Sequence, residues 1–501
     1  MTPHAPIAPD FRTVAECLEK GETCVLQARR VDDLLTPVAA YLRLSTNQPN
    51  SFLLESVEGG AWRGRYSAIG LDPDLIWQCR DGVVSQATGM DVAARRFTPI
   101  DTEPMTALRE AIEAAHCPLP DDAPPLASGL FGYVGYDMVR YLERLPEGAA
   151  PDPLGLPESV LLRPQTMIVF DALKQEIQVY CPVRPGEYSA REAYDAAVER
   201  LQTTLQRLAG STPELARPVG ALGERQSNRS PEDYRAAVDT ARDYIRAGDA
   251  FQVVPSQRFS ADYPGDPFWV YRSLRRLNPS PFLFFFRFDG FEVVGSSPEI
   301  LVRLRDDVVT IRPIAGTRPR GQTPAEDDAH EADLLADPKE RSEHLMLLDL
   351  GRNDVGRIAK PGTVRITARE IVERYSHVMH IVSNVEGDLA DKEDVVSALF
   401  AGFPAGTVSG APKVRAMEII DELEPHRRGV YAGAVGYFSA DGGMDTAIAL
   451  RTAVFKDGRM YVQAGAGVVL DSDPESERVE TVNKAAALFR AAEDSLGQRG
   501  L

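Results

Sequence analysis

The sequence runs to 501 residues with 44% hydrophobic content, the make-up of a soluble globule too long for one small core. Its 74 acidic against 55 basic side chains give a net charge of -19, which excludes general nucleic-acid binding and attraction to an anionic membrane surface. An anionic substrate would need local cations against that background, from a metal or from placed side chains such as Arg451 and Lys484.

Five cysteines, Cys17, Cys24, Cys79, Cys117 and Cys181, show no metal-ligand spacing and read as reduced thiols, so a cytoplasmic protein is expected. The N-terminus lacks a basic start followed by an apolar run, and no apolar stretch is long enough to cross a bilayer. Neither a secretory signal nor a membrane span is expected.

In chain order, Tyr188 to Leu208 places Tyr194, Ala197, Val198, Leu201 and Leu205 at helical spacing, a packing stripe. From Leu208 to Arg229, Gly, Pro, Ser and charge replace that periodicity. The chain therefore divides near residue 226, into 1–225 and 226–501. Ser230-Pro231-Glu232-Asp233 then opens a helix that Gly248 closes. Two turn-linked strand pairs follow, Phe282 to Phe288 with Phe291 to Gly295, and Thr446 to Phe455 with Arg459 to Ala464. Helices over Ala332 to Leu348 and Val414 to Leu423 lie between them. Hairpins interleaved with helices point to a layered α+β fold rather than a parallel doubly wound sheet.

Two matched acidic helix starts carry the chemistry. In Asp337-Pro338-Lys339-Glu340-Arg341-Ser342-Glu343 and Asp473-Pro474-Glu475-Ser476-Glu477-Arg478-Val479-Glu480, Asp can cap the helix and Pro fits its first position. Glu340 with Glu343, and Glu477 with Glu480, then share a face. Four convergent carboxylates could hold a hard cation such as Mg2+; equally, these could be solvated helix ends, with Glu340 completing a capping box to Asp337. Before the second helix, Gln463-Ala464-Gly465-Ala466-Gly467-Val468-Val469 offers backbone donors to an anion. The loop Gly402 to Lys413 is not a Walker loop: Ala411-Pro412 separates Gly410 from Lys413, and no Ser or Thr follows the lysine.

These segments, together with Leu53-Leu54-Glu55-Ser56, Asn278-Pro279-Ser280-Pro281, Ser297-Pro298-Glu299, Pro313-Ile314-Ala315-Gly316-Thr317-Arg318 and Asp349-Leu350-Gly351-Arg352-Asn353-Asp354, resemble the chorismate-binding enzymes. Within that family the resemblance is to the component I branch of anthranilate synthase. It implies two large antiparallel sheets stacked as a sandwich with helices outside, and conversion of chorismate and ammonia to anthranilate and pyruvate. It further implies a Mg2+ held directly by Glu343 and Glu480 with Glu340 and Glu477 in support. Glu299 matches the general acid and His380 an active-site histidine. Thr317, Thr407, Tyr431 and Arg451 match substrate contacts, the last three around the enolpyruvyl group, and Gly465, Gly467 and Lys484 match the ring-carboxylate group.

Two positions discriminate within the family. Relatives that add water carry Lys where this chain has Gln252, and aminodeoxychorismate synthases carry Lys at Ala315; an amide is no base and Ala no nucleophile. An aminodeoxychorismate or aminodeoxyisochorismate synthase, and a non-catalytic tryptophan-binding homologue, are the alternatives. The resemblance also implies a tryptophan pocket built from Leu54, Glu55, Ser56, Asn278, Pro279, Ser280, Pro281, Phe282 and Leu283 in the 1–225 region and its neighbour, with feedback inhibition. No segment reads as a glutamine amidotransferase, so ammonia is expected from a separate subunit, commonly in a heterotetramer.

Overall fold

The computed structural model describes residues 6–45, 48–56, 64–146, 150–186, 188–214, 218–375 and 378–497. Local signals set the helices. Ala190–Leu208 begins with a capping box between Ser189 and Glu192, and Pro231–Ala247 with one between Ser230 and Asp233, ending at Gly248 with φ 90°. Lys413–Leu423 forms one residue earlier than the pattern suggests.

Two sequence expectations need correction. The single helix expected over Ala332 to Leu348 is two, Pro324–Ala336 and Pro338–Gly356. Pro338 cannot continue a preceding helix, and the Asp337 carboxylate instead caps the next one through Lys339 N–H and Glu340 N–H. The strand expected over Thr446 to Phe455 is likewise broken, into Met444–Ile448 and Thr452–Lys456. Arg451 sits at the break with φ 46°, a left-handed conformation uncommon for a side chain of its size.

Among the described residues, twenty-two strands join one hydrogen-bonded network, with each pairing antiparallel. It folds into two facing layers because Tyr66–Arg80 and Ser159–Asp171 belong to both. They pair along their whole length, with a bulge at Pro73/Leu75 where the strands bend. One layer continues from the first half of Tyr66–Arg80 through Ser51–Glu55, Phe282–Phe288, Phe291–Ser297, Thr452–Lys456, Arg459–Gly465 and Ser256–Asp262. The other continues from Ser159–Asp171 through Gly129–Val134, Ala434–Ser439, Met444–Ile448, Ile300–Arg305, Val308–Ile311 and Val378–Asp388.

Between the layers Phe52 stacks on Phe131 at 4.8 Å and Phe131 on Tyr437 at 5.5 Å. The run Phe-Leu-Phe-Phe-Phe-Arg-Phe of strand 282–288 shows why apolar residues are continuous there. Phe284, Phe286 and Phe288 enter this interlayer core, while Leu283 and Phe285 pack outward under helices with Tyr41, Tyr271 and Leu488. A third core, holding Leu108, Leu399 and Met417, covers the outer face of the second layer. Position 226 separates two stretches of sequence rather than two sheets, since strand 51–55 pairs with 282–288 and strand 129–134 with 434–439. All five cysteines are free thiols. Among the described residues no helix is long and apolar enough to cross a membrane.

Candidate active site

Glu299, His380, Gln252, Thr317, Thr407, Tyr431, Arg451, Gly465, Gly467, Lys484, Glu340, Glu343, Glu477 and Glu480 all line one cavity of ≈ 490 Å³. Strand ends, two loops and two helix starts supply them. Such convergence of titratable and polar groups on one concavity marks a candidate active site.

Glu299 follows strand 291–297 and is 8% exposed. Burial pushes its carboxyl up to about 8, against the opposing pull of a hydrogen bond from Thr407 and of the Arg451 and Lys484 charges. Thr407 Oγ1 donates to Glu299 Oε1 at 3.3 Å. At neutral pH the group is therefore a buried acid holding its proton.

His380 lies on strand 378–388 with Nδ1 2.9 Å from the Gly316 carbonyl and 3.1 Å from Thr317 Oγ1. A carbonyl only accepts, so Nδ1 carries the hydrogen and Nε2 is the basic nitrogen of the neutral ring. Burial, and then the Arg451 charge, lower its pKa and keep the ring neutral.

Gln252 is 4% exposed and pairs in a short strand with Ala411; its Oε1 finds no donor among the described residues. A buried amide oxygen without a partner is costly, so it fits a ligand N–H. The glycines opposite make room for these groups. A Cβ on Gly467 would stand 2.5 Å from Gln252 Nε2, and one on Gly465 2.8 Å from Tyr431 Oη and 3.0 Å from the Pro255 carbonyl. Gly465→Ala is expected to displace Tyr431, costing about 1–3 kcal/mol of stability and raising KM for substrate. Thermal melts and steady-state kinetics check this; unchanged values would show that Tyr431 can yield freely.

The acidic wall comes from helices Pro338–Gly356 and Pro474–Ser495, capped by Asp337 and Asp473. Glu343 is raised by burial and then by Glu340, with Glu480 adding to the effect, so carboxylates of the two helices face each other. Burial also raises Glu477, and Glu480 reinforces it. Glu340 does not turn back to complete a capping box: its Oε1 accepts from Arg318 at 3.2 Å, and Arg318 also donates to Asp337 at 2.8 Å. Lys484 donates to the Gly465 carbonyl at 3.0 Å and pairs with Glu480 at 2.7 Å. Among the described residues no three His, Cys, Asp or Glu side chains converge tightly enough to hold a metal by themselves. Lys413, the cation closing the 402–413 loop, is turned away from the cavity onto buried Asp354 at 3.0 Å.

The segments singled out for a tryptophan pocket are brought together by strand register, with Leu283 opposite Glu55 and Phe284 opposite Leu54. Glu55 is buried, its Oε2 accepting from Tyr271 Oη at 2.5 Å and Arg275 Nε at 2.8 Å. Asn278 binds Ser296 through both its carbonyl, at 2.6 Å, and its amide, at 3.3 Å. Ser280 Oγ donates to the Phe282 carbonyl at 3.3 Å, and Ser56 Oγ accepts the Gly64 N–H at 2.8 Å. Strand 282–288 pairs in turn with 291–297, with Phe282 opposite Ser297, two residues before Glu299.

Several residues around the cavity escape a reading of the sequence. Leu347 lines it, as do the Lys339 and Gln463 side chains, whose segments the sequence marks without giving these two a role, and the buried pair Glu424–Arg428 lies beneath it. An i,i+4 Glu–Arg pair ordinarily signals a solvated helix face, so nothing local betrays its burial.

Residues 35–490 match the family described as chorismate binding enzyme. The chain is 59% identical over 491 residues to anthranilate synthase component 1 of Cereibacter sphaeroides, covering 97% of each chain. It is 50% identical over 474 residues to the protein of that name from Pseudomonas putida, covering 93% of this chain and 94% of that one. Among solved structures, anthranilate synthase component I from Streptococcus pneumoniae superposes with a TM-score of 0.77 at 39% identity, covering 92% and 98% of the two chains. The menaquinone-specific isochorismate synthase of Escherichia coli shares the fold, with a TM-score of 0.71 at 21% identity over 96% and 100%. With residues 35–490, nine-tenths of its length, matched, the chain belongs to the chorismate-binding enzymes.

Proposed function

We propose that the chain is the synthase component of an anthranilate synthase, aminating chorismate with ammonia and releasing pyruvate and water. The observation that carries this reading is the pairing of a protonated buried acid, Glu299, with a buried amide, Gln252, where a water-adding relative would need a basic lysine. Ammonia attacks C2 as both ring double bonds shift, C1=C2 to C1=C6 and C5=C6 to C4=C5, and the C4–O bond breaks. The Glu299 proton goes to the departing hydroxyl, which leaves as water. Gln252 Oε1 accepts an N–H of the incoming ammonia and directs its lone pair. In the second stage the C3–O bond breaks, the C2 proton is lost to a base, and enolpyruvate departs from the newly aromatic ring. His380 Nε2, unprotonated and partly buried, suits that base. Arg451 supplies the fork that a carboxylate of the substrate would accept. Ala315 offers no amine for a covalent intermediate.

The donor set suits Mg2+, a hard cation that takes one or two carboxylates and keeps water or substrate oxygens for the rest. Glu343 and Glu480 are the residues to hold it, with Glu477 beside them, while Glu340 is engaged by Arg318. When bound, the cation neutralises the ring carboxylate and withdraws charge from the reacting ring. A net charge of -19 makes such local neutralisation necessary for a dianionic substrate.

Tryptophan is the proposed inhibitor, at the Leu54–Ser56 and Asn278–Leu283 segments. The support is topological: the strand that carries this pocket neighbours the one ending at Ser297, two residues before Glu299, so ligation can bias the general acid. Replacing Ser56 with Phe is expected to raise the tryptophan concentration for half-inhibition at least about 10-fold, with kcat within about 2-fold, as differential binding demands. Unchanged sensitivity would place the inhibitor elsewhere. A separate glutaminase subunit is the proposed ammonia source, in a hetero-oligomer acting in the cytoplasm. The reading is tested with purified chain, chorismate, Mg2+ and an ammonium salt: anthranilate and pyruvate should appear in equal amounts. Accumulation of an aminated, non-aromatic product without pyruvate would contradict it.

A further inference from the structure

Beneath the cavity floor, Arg428 and Glu424 are 4% and 6% exposed. Arg428 Nη1 donates to the Val408 carbonyl at 2.6 Å and Nη2 to the Val254 carbonyl at 2.7 Å. Its Nε and Nη2 also donate to the two Glu424 oxygens, at 3.0 and 2.6 Å. Glu424 Oε1 accepts from Ser256 N–H at 2.7 Å and from Ser256 Oγ at 2.8 Å, and Ser256 Oγ accepts from Gln463 Nε2 at 2.7 Å. The guanidinium carbon lies 4.7 Å from the Tyr136 ring centre and 5.5 Å from that of Tyr431.

Apart from Tyr136, the segments that this network grips carry groups facing the cavity. Val408 follows Thr407, Val254 is two residues beyond Gln252, and Tyr431 and Gln463 line the cavity directly. Neither Arg428 nor Glu424 does so. Stability alone does not explain a buried ion pair, since well-packed apolar side chains often serve as well. Apolar side chains could not hold two backbone carbonyls from separate loops. A planar fork with five donors can do so while also bonding both Glu424 oxygens, whereas the three donors of a lysine cannot meet all four acceptors.

We propose that Arg428, fixed by Glu424, is a positioning residue for chorismate amination, holding the loops that carry Gln252 and Thr407 and so the hydroxyl that bonds Glu299. The inference rests on the synthase reading above. Arg428 acts through Thr407 on the acid, and through the 252–256 backbone on the amide that meets ammonia. Loss of the fork leaves these groups present but misplaced.

Arg428→Lys keeps the charge and loses the fork. With native circular dichroism, its kcat is expected to fall roughly 10²-fold, as for a displacement of about 1 Å at a reacting centre. The basic limb of the kcat/KM profile should also move to higher pH, because the Thr407 bond favours the Glu299 carboxylate while Arg451 and Lys484, the cations acting on Glu299, stay in place. Combined with Thr407→Val, the loss should be smaller than the product of the two single losses, since both act on one bond. Wild-type kcat and pH limb in a folded Arg428→Lys, or multiplicative losses in the double variant, would overturn the proposal. Should Arg428→Lys not fold, Ser256→Ala carries the test: it keeps the ion pair, removes the two Oγ bonds to Glu424 and Gln463, and is expected to lower kcat about 5-fold. An unchanged kcat there overturns the proposal equally. If wild type itself makes no anthranilate, the synthase reading fails; if wild type is active and the variants match it, only the positioning role fails.

Discussion

Glu299→Gln is expected to reduce anthranilate formation by about 10³-fold or more, the scale of a lost general acid, while making the folded chain more stable in alkaline solution. Both effects come from burial. In the folded protein the carboxyl is raised to about 8, whereas in the unfolded chain it titrates near its ordinary 4.5. Between those values the folded form keeps a proton that the unfolded form has released. Stability therefore falls as pH rises from about 4.5 to about 8, and the full penalty is present above that; it is on the order of a few kcal/mol. Gln keeps the shape and cannot ionise, so its advantage in melting temperature should be near zero at pH 4 and largest at pH 8 to 9. Wild-type kcat/KM should fall on the alkaline side as the acid loses its proton, and the variant's residual activity should lack that limb. A variant no more stable than wild type at pH 9, or with an unaltered alkaline limb, would assign the acid to another residue.

The second large effect concerns the acidic wall. Glu343→Ala and Glu480→Ala should each lower kcat by about 10³-fold, the several kcal/mol that a cation contributes by polarising its ligand. Both should weaken Mg2+ binding measured calorimetrically in the presence of chorismate. Glu343 is raised by burial and then by Glu340, so its removal relieves repulsion and the fold should persist. Retained Mg2+ binding in both variants would move the cation away from these helices. Glu340→Ala should cost less, because Arg318 already takes its carboxylate at 3.2 Å.

How far these residues could be read in the sequence follows from how local their signals are. Asp337-Pro338 and Asp473-Pro474 announce helix starts that exist, because an N-cap and an N1 proline act within one turn. The acids three residues apart then share a face by helix geometry alone. The same Pro338 also ends the preceding helix, which the apolar pattern running through Ala332 to Leu348 conceals. Arg451 illustrates the converse. Its residue type suits a carboxylate, yet the strand break that turns it into the cavity has no sequence mark, since the left-handed φ of 46° falls on a residue that seldom adopts it.

Long-range pairing was least legible. A continuous apolar run closed by a turn identifies strand 282–288 but not that it pairs with 51–55 from the other side of the 226 boundary, which brings Glu55 opposite Leu283. The Arg428–Glu424 pair was invisible for a related reason. Its role comes from Val254, Val408 and Ser256, which reach it only when the chain is folded. Closeness of Gly467 to Gln252 and of Gly465 to Tyr431 likewise explains the glycines by what lies across the cavity, beyond any local turn requirement.

The most direct test is calorimetric titration of chorismate into the inert Glu299→Gln chain with saturating Mg2+. One molecule should bind per chain, and binding should be lost when Arg451→Met is added or Mg2+ is withheld. Undiminished binding under both conditions would contradict the account, because it would place chorismate outside the cavity between the two acidic helices.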